Sequence, residues 1–407
     1  MSTAAAAHVA PVPNEPIRTA VWFHIFAGLC AGLVSIGLAR FAYTPLIPSL
    51  IQAHWFSADD VITLGAANLA GYLVGALLGR PVAARLSNEH TLRLMMLLAT
   101  ASFLACAFPL SVAWYFGWRF ISGVAGGAIM VLVAATVLPH VPAARKGLAS
   151  GAIFLGLGLG IAGSGTVVPL LLGLGLRDTW IGLAVLSGVL TAASWFAWPA
   201  STPRAKSAPP QPAQAATQSL GTSIRLLYVQ YALMAFGLVP AMVFFVDYIA
   251  RGLGAGAHFG SLFWILYGVG AIFGPPLYGL LADRVGGRMG FRLVLAVQLV
   301  AVLGLCATRS FAVIAVLTVV IGSFPPGIVP LALARVHEAL PGRVHDQNLA
   351  WSRATTVFAA FQALAGYSYS AIFNASGGSH RLLFLIGAAA VAIALIADAL
   401  VAKTVTE

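Results

Sequence analysis

Gly279-Leu-Leu-Ala-Asp283-Arg284-Val-Gly286-Gly287-Arg288 lies where a long apolar run, Leu262 to Leu281, meets a short basic loop. Each part has a physical use at the edge of a membrane. A glycine near the end of a spanning helix lets a neighbouring backbone approach closely. An aspartate at that edge can sit against the positive N-terminal end of another helix, or pair with arginine. Gly286-Gly287 lets the chain turn, and Arg284, Arg288 and Arg292 hold the loop on the cytoplasmic side.

Working outward, the 407 residues are 60% hydrophobic and 8% charged, with a mean hydropathy of +0.94. No soluble core uses that much apolar surface, so an integral membrane protein is expected. The net charge of +11 does not point to nucleic acid, because the basic residues are spread over short loops between apolar runs. Cys30, Cys106 and Cys306 all lie within apolar runs and read as packing residues, not a disulfide framework. Residues 1–18 are Ala/Pro-rich, lack the basic-then-apolar order of a signal peptide, and read as a cytoplasmic tail.

A spanning helix needs about 20 apolar residues. On that measure twelve helices are predicted, near 19–51, 58–80, 91–109, 111–138, 147–173, 179–199, 223–250, 260–282, 289–308, 310–335, 345–373 and 380–402. The Pro/Ala/Gln-rich stretch 200–222 reads as a cytoplasmic linker between two six-helix bundles, 19–199 and 223–402, with residues 403–407 as a second tail. Basic loop residues place both termini inside; only Arg177, Arg251, Arg309 and Arg381 fall outside. The halves repeat at a spacing of roughly two hundred residues: Gly37 with Gly237, and Gly79 with Gly279. In the first half the loop reads Gly79-Arg80-Pro-Val-Ala83-Ala-Arg85, so the acidic residue is lost and a gate built on these loops is expected to be asymmetric.

The stretch from Gly279 to Arg288 resembles the signature loop of the major facilitator superfamily of transporters, with Gly287 standing where the family prefers a basic residue. Arg119-Phe-Ile-Ser-Gly123-Val-Ala-Gly126-Gly127 is similar to the superfamily's helix-four pattern. Gly147, Gly156, Gly160 and Gly165 match its antiporter motif in helix five, where Ile161 replaces the proline and Ser164 one glycine. Gly37-Leu-Ala-Arg40-Phe-Ala-Tyr43-Thr-Pro45, with Asn68-Leu-Ala-Gly71-Tyr72, resembles the YbfB/YjiJ-like branch. The resemblance implies an all-α membrane fold of two pseudo-symmetric six-helix bundles in the bacterial inner membrane. It also implies secondary transport of a small molecule by alternating access. The helix-five glycines imply proton-coupled export.

Arg40 follows about twenty apolar residues and falls near mid-membrane, where an arginine is expensive unless it faces water or a partner. It either holds a substrate carboxylate or phosphate through two parallel hydrogen bonds, or pairs with a resident carboxylate and ties the bundle together. Arg119 is open to the same two readings, as a substrate contact or as a structural arginine on backbone carbonyls. Asp247 is the one good intramembrane carboxylate: either a proton-coupling site, or simply the partner of Arg251 four residues on. Tyr43, Asn68, Tyr72, Tyr231, Tyr267 and Gln362 are further candidates to contact substrate, though single polar residues in such bundles are often interhelical partners.

The expected gate comprises Gly79, Arg85, Gly279, Asp283, Arg284, Gly286, Arg288 and Arg353, with Asp283 set against the start of helix five near Gly147. Gly156, Gly160 and Gly165 serve helix packing. Two transport readings stand: proton-coupled export of a small organic molecule, and proton-coupled uptake of a small organic anion, the latter favoured by Arg40 and Arg119. A non-transporting scaffold or receptor is a third. The chain has no Gly-Lys-Ser/Thr phosphate loop and no metal-ligand spacing among its nine histidines, so no enzyme, cofactor or metal is expected. The partners expected of it are lipid, protons and a small solute, with the chain acting as a monomer.

Overall fold

The computed structural model describes residues 19–199 and 221–406. The expected N-terminal tail, almost all of the linker and Glu407 lie outside the described residues. What is described is helical throughout, with no strand among the described residues. Lipid offers the backbone no hydrogen-bond partners, so a chain this apolar satisfies its amides within helices.

Helix α1 runs from Thr19 to Gly32, passes through a π-helical stretch, Leu33–Leu38, and ends with Tyr43–Gln52. It is followed by α2 (Ala58–Leu86), α3 (Asn88–Cys106), α4 (Val112–Val137), α5 (Lys146–Leu172) and α6 (Leu176–Ser194). Helix α7 begins as Thr222–Val239 and continues through two π-helical stretches, Pro240–Phe244 and Tyr248–Gly252. The remainder are α8 (Gly256–Val285), α9 (Gly287–Ala307), α10 (Phe311–Ala339), α11 (Val344–Ala375) and α12 (His380–Thr406). Among the described residues, nine helices are long and apolar enough to cross a membrane; α2, α3 and α11 fall outside that set. Helix α3 opens on Asn88-Glu89-His90 and α11 on His345-Asp346-Gln347-Asn348, so polar first turns dilute their apolar stretches.

The two ends of the molecule are called basal, where α1 starts and α2 ends, and apical, where α7 ends and α12 starts. The surface between them is rich in large apolar side chains, Leu170, Val300, Val185 and Ile396 among them. A water-soluble monomer does not expose so wide an apolar surface.

Small residues set the helix crossings. A Cβ on Gly71, Gly75, Gly123 or Gly127 would collide with backbone across the α2–α4 contact. Gly270, Gly274 and Gly322 do the same for α8 and α10. The two sets sit about two hundred residues apart, so the repeat in sequence is also a repeat in packing. The turn after α2 repeats as well: Ser87 has φ +87° and Gly286 has φ +82°. Gly37 and Gly237 do not repeat in this way. Gly37 touches Gly160 of α5, whereas Gly237 faces Gly387 of α12.

The chain's two halves meet most intimately along α5 and α8. Gly147 would collide with Gly279 and Asp283, Gly151 with Pro275, and Gly158 with Ala271, if each carried a Cβ. Gly165, nearer the apical end, rests on Ile265. The other crossing between halves, α2 on α11, is looser: Gly366 approaches only the Leu69 side chain.

Candidate functional site

A cavity of about 30 Å³ lies between the two halves, with Arg40 in its wall. The π-helical stretch Leu33–Leu38 immediately precedes Arg40; such bulges re-aim the residues beside them and often mark functional sites. The Arg40 guanidinium donates from Nη1 to Gln362 Oε1 at 2.9 Å and from Nε to Asn68 Oδ1 at 3.4 Å. Its carbon stands 4.5 Å from the centre of the Tyr72 ring. Gln362 belongs to α11, so the first bond spans the two halves. Asn68 is held in turn by donating from Nδ2 to Ser122 Oγ at 2.9 Å.

All of these partners are neutral, and no carboxylate pairs with Arg40 among the described residues. Its Nη2 is buried and has no hydrogen-bond partner. A cation between helices with an unpaired, water-excluded donor is costly unless something anionic completes it.

Apolar and aromatic groups make the rest of the wall: Ile36, Phe41, Met130, Met242, Tyr231 and Phe358 among them. Tyr231 packs on Phe358 at 4.7 Å and on Trp351 at 6.2 Å between ring centres. Gln362 donates from Nε2 to the Met242 sulfur at 3.6 Å. Thr355 also lines the cavity. A water needs roughly 10–15 Å³ of such space, so this volume admits about two waters, and any organic ligand requires the halves to part.

The structure brings Arg40, Asn68, Tyr72, Tyr231 and Gln362 together and leaves three other candidates elsewhere. Arg119 is buried, donates to the Ala39 carbonyl at 2.6 Å and stacks over Tyr43 at 4.2 Å. It lines a different, smaller cavity with Ser102, Cys106 and Trp180. Tyr43 donates to the Val61 carbonyl at 2.7 Å. Tyr267 stacks on Trp264 at 4.9 Å, away from Arg40.

At the basal end Asp283 caps α5. Its two carboxylate oxygens accept from the backbone N–H groups of Gly147 and Leu148, each at 2.9 Å. The N-terminal amides of a helix are unpaired within the helix and attract negative charge. Gly147 and Gly279, lacking side chains, allow the two backbones close enough for this. In the first half Ala83 stands in the place of Asp283 and can make no such cap, while Gly79 packs on Ala128. Arg288 turns elsewhere: with Arg292 it pairs with Asp398 of α12, at 3.4 and 2.5 Å. Arg284, Arg85 and Arg353 are exposed. Gly286 makes the turn before α9, whose first amides, on Gly287 and Arg288, donate to Glu338.

Just below the cavity sits Trp351, buried, whose indole N–H on α11 donates to the Met130 carbonyl on α4 at 3.0 Å. It lines a basal cavity of about 40 Å³ together with Lys146, His337, Gln347 and Asn348. At the apical end Asp247 pairs with Arg251 through both oxygens and with His380 Nε2 at 2.6 Å. Both readings of Asp247 had left out His380, because a histidine at the first position of a helix looks like a loop residue. Trp351, Thr355, Phe358 and Gln362 follow a helical spacing of three or four, the one signal by which this face of α11 was open to detection.

Among known proteins, the family described as "Uncharacterised MFS-type transporter YbfB" matches residues 32–399. The 4-hydroxybenzoate transporter PcaK of Acinetobacter baylyi is 26% identical over 157 residues, covering 38% of this chain and 34% of the relative. YwfA of Bacillus subtilis, described as an uncharacterized MFS-type transporter, is 27% identical over 146 residues, covering 34% of each. The chain thus matches about a third of the length of these two relatives. With the family match running through nearly all of its helices, the chain belongs to the YbfB-like family of major facilitator superfamily transporters.

Proposed function

We propose that this chain is a proton-coupled secondary transporter that carries a small organic anion by alternating access. In this reading its twelve helices form two six-helix halves that rock about the Arg40 cavity. The basal end faces the cytoplasm, as the basic loops require, and the protein sits in a bacterial inner membrane. One observation carries the reading: half-buried Arg40 lines the cavity between the halves with only neutral partners, and its Nη2 is left unpaired. A carboxylate completes that donor set, and closing the halves around it strengthens the bond by excluding water. The matched PcaK is a transporter of 4-hydroxybenzoate, a small organic anion, which favours the same class.

Asp283 on the α5 amides and Trp351 on the Met130 carbonyl act as two basal closures in series. Proton coupling falls to Asp247, the carboxylate that joins α7 to α12 through Arg251 and His380 at the apical end. Bringing an anion into a negative interior costs about 2.3 kcal/mol per charge per 100 mV, so uptake needs at least one proton alongside. Gly156, Gly160 and Gly165 each pack against a neighbouring helix, which accounts for the helix-five glycines without a direction of transport.

The test is ligand-induced thermal stabilisation of the purified protein across a panel of organic acids, sugars, amino acids and cationic drugs. Small carboxylates raise the melting temperature of the wild type and leave Arg40→Gln unmoved. A neutral or cationic compound that stabilises both proteins equally would reject the anion site.

A further inference from the structure

We infer that Thr355 is a second substrate contact, so the transported anion carries a hydrogen-bonding group at the end of its body remote from the carboxylate. This rests on the anion reading of the Arg40 cavity and adds to it the class of anion.

Threonine in a helix usually satisfies its hydroxyl by donating to the carbonyl four residues back. Thr136, Thr191 and Thr318 do so at 2.6–2.8 Å. Thr356, the next residue in α11, does so to Ser352 at 3.0 Å. Thr355 does not. It is 2% exposed, its Oγ1 has no partner, and it lines the cavity that Arg40 lines. A buried hydroxyl left unpaired costs about 1–3 kcal/mol, so an orphan here, where its neighbour is satisfied, marks a partner that arrives with the ligand.

The arrangement also fixes the shape of that ligand. Thr355 and Gln362 are seven residues apart on one face of α11, about 10.5 Å along the axis. Gln362 holds the Arg40 guanidinium, so the anionic head lies near one end and Thr355 near the other. Between them stand Phe358, Tyr231, Met130 and Pro326, with no second charge in the wall. A flat or short apolar body, about one ring long, fits that span. The two polar contacts belong to opposite halves of the chain, Arg40 to the first and Thr355 to the second. A ligand that bonds to both ties the halves together, whereas one that reaches Arg40 alone leaves the second half without a direct bond to it.

Matched acids test this on the purified full-length protein by titration calorimetry: benzoate against 4-hydroxybenzoate, and pentanoate against 5-hydroxypentanoate. In the wild type the hydroxylated member of a pair binds about tenfold more tightly, the discrimination of one well-placed neutral hydrogen bond. Thr355→Val, nearly the same shape, removes that preference to within about twofold while binding the plain acid as before. Thr355→Ser, which keeps the hydroxyl, restores it and guards against misfolding of the valine variant. A preference that survives in Thr355→Val, or paired acids that bind the wild type equally, would overturn the role of Thr355 and leave the Arg40 site standing. Binding of none of the acids would overturn both.

Discussion

At the scale of single residues, Arg40 and Asp283 do opposite work with the same kind of interaction. Arg40 is a cation whose protein partners are all neutral, with Nη2 left unpaired. Asp283 is an anion whose two oxygens are both used, on the amides of Gly147 and Leu148. The first is therefore built to receive, the second to hold. Lysine at position 40 keeps the charge but not the planar fork that reaches Asn68, Gln362 and a ligand at once. Arg40→Lys is expected to weaken carboxylate binding about tenfold, measured by calorimetry with folding checked by size exclusion. Asp283→Asn keeps the volume and loses the charge, and hydrogen bonds to a charged group contribute about 1.5–3 kcal/mol. Transport by that variant should fall about tenfold at normal protein level; unchanged turnover in vesicles would reject the gate role of Asp283.

Both residues were legible in the sequence, for different reasons. Asp283 stands in a loop whose every part has a use at a membrane edge, and Arg40 is a charge too deep in an apolar run to be idle. Arg119 met the same depth criterion and lies elsewhere, because depth along a helix does not say which neighbour a side chain meets. Its partner is the Ala39 carbonyl, a backbone group that no pattern of residue types reveals. Thr355 was illegible for a related reason: a threonine in a helix is ordinarily satisfied by its own backbone, and only the folded structure reveals that this one is not.

At the scale of helices, α5 carries the contact between halves, and its glycines have measurable consequences. Gly158 meets the Ala271 backbone directly, whereas a Cβ at Gly117 would meet nothing within 4 Å. Gly158→Val should abolish or strongly reduce folded yield, and Gly117→Ala should change stability by less than about 1 kcal/mol, both followed by fluorescence-detected size exclusion. Helix α11 presents Trp351, Thr355, Phe358 and Gln362 on one face, with Trp351 closing the basal side. Trp351→Phe keeps most of the ring and loses the N–H bond to Met130. It should raise labelling of a cysteine placed at Ile36 from the cytoplasmic side by several-fold; unaltered labelling would show that Trp351 is not a closure. The crossings themselves were partly legible, since Gly79 and Gly279 repeat in the sequence. Their partners were not: Gly37 and Gly237 repeat equally well in the chain and face different helices.

At the scale of the whole molecule, the asymmetry between the halves matters more than their repetition. One basal seam is locked by Asp283 on α5; in the other, α2 on α11, Ala83 makes no such cap and the glycine contact is looser. At the apical end Asp247, Arg251 and His380 join α7 to α12, beside two π-helical stretches that interrupt α7. Arg381 adjoins His380 in the chain, and both Arg381 and Arg309 act on Tyr248 beside Asp247. His380→Gln keeps a hydrogen-bonding side chain but removes the imidazole that pairs with Asp247. It should abolish accumulation driven by a pH gradient while leaving exchange of one anion for another intact, measured side by side in vesicles; full gradient-driven accumulation would place the proton site elsewhere.

The most direct measurement of the central claim is counterflow of a labelled small carboxylate in proteoliposomes holding equal amounts of wild type and Arg40→Gln. Wild-type vesicles preloaded with the unlabelled acid should accumulate the labelled one transiently, and Arg40→Gln vesicles should not rise above empty ones. Equal counterflow through both proteins would contradict a cavity in which Arg40 receives the substrate.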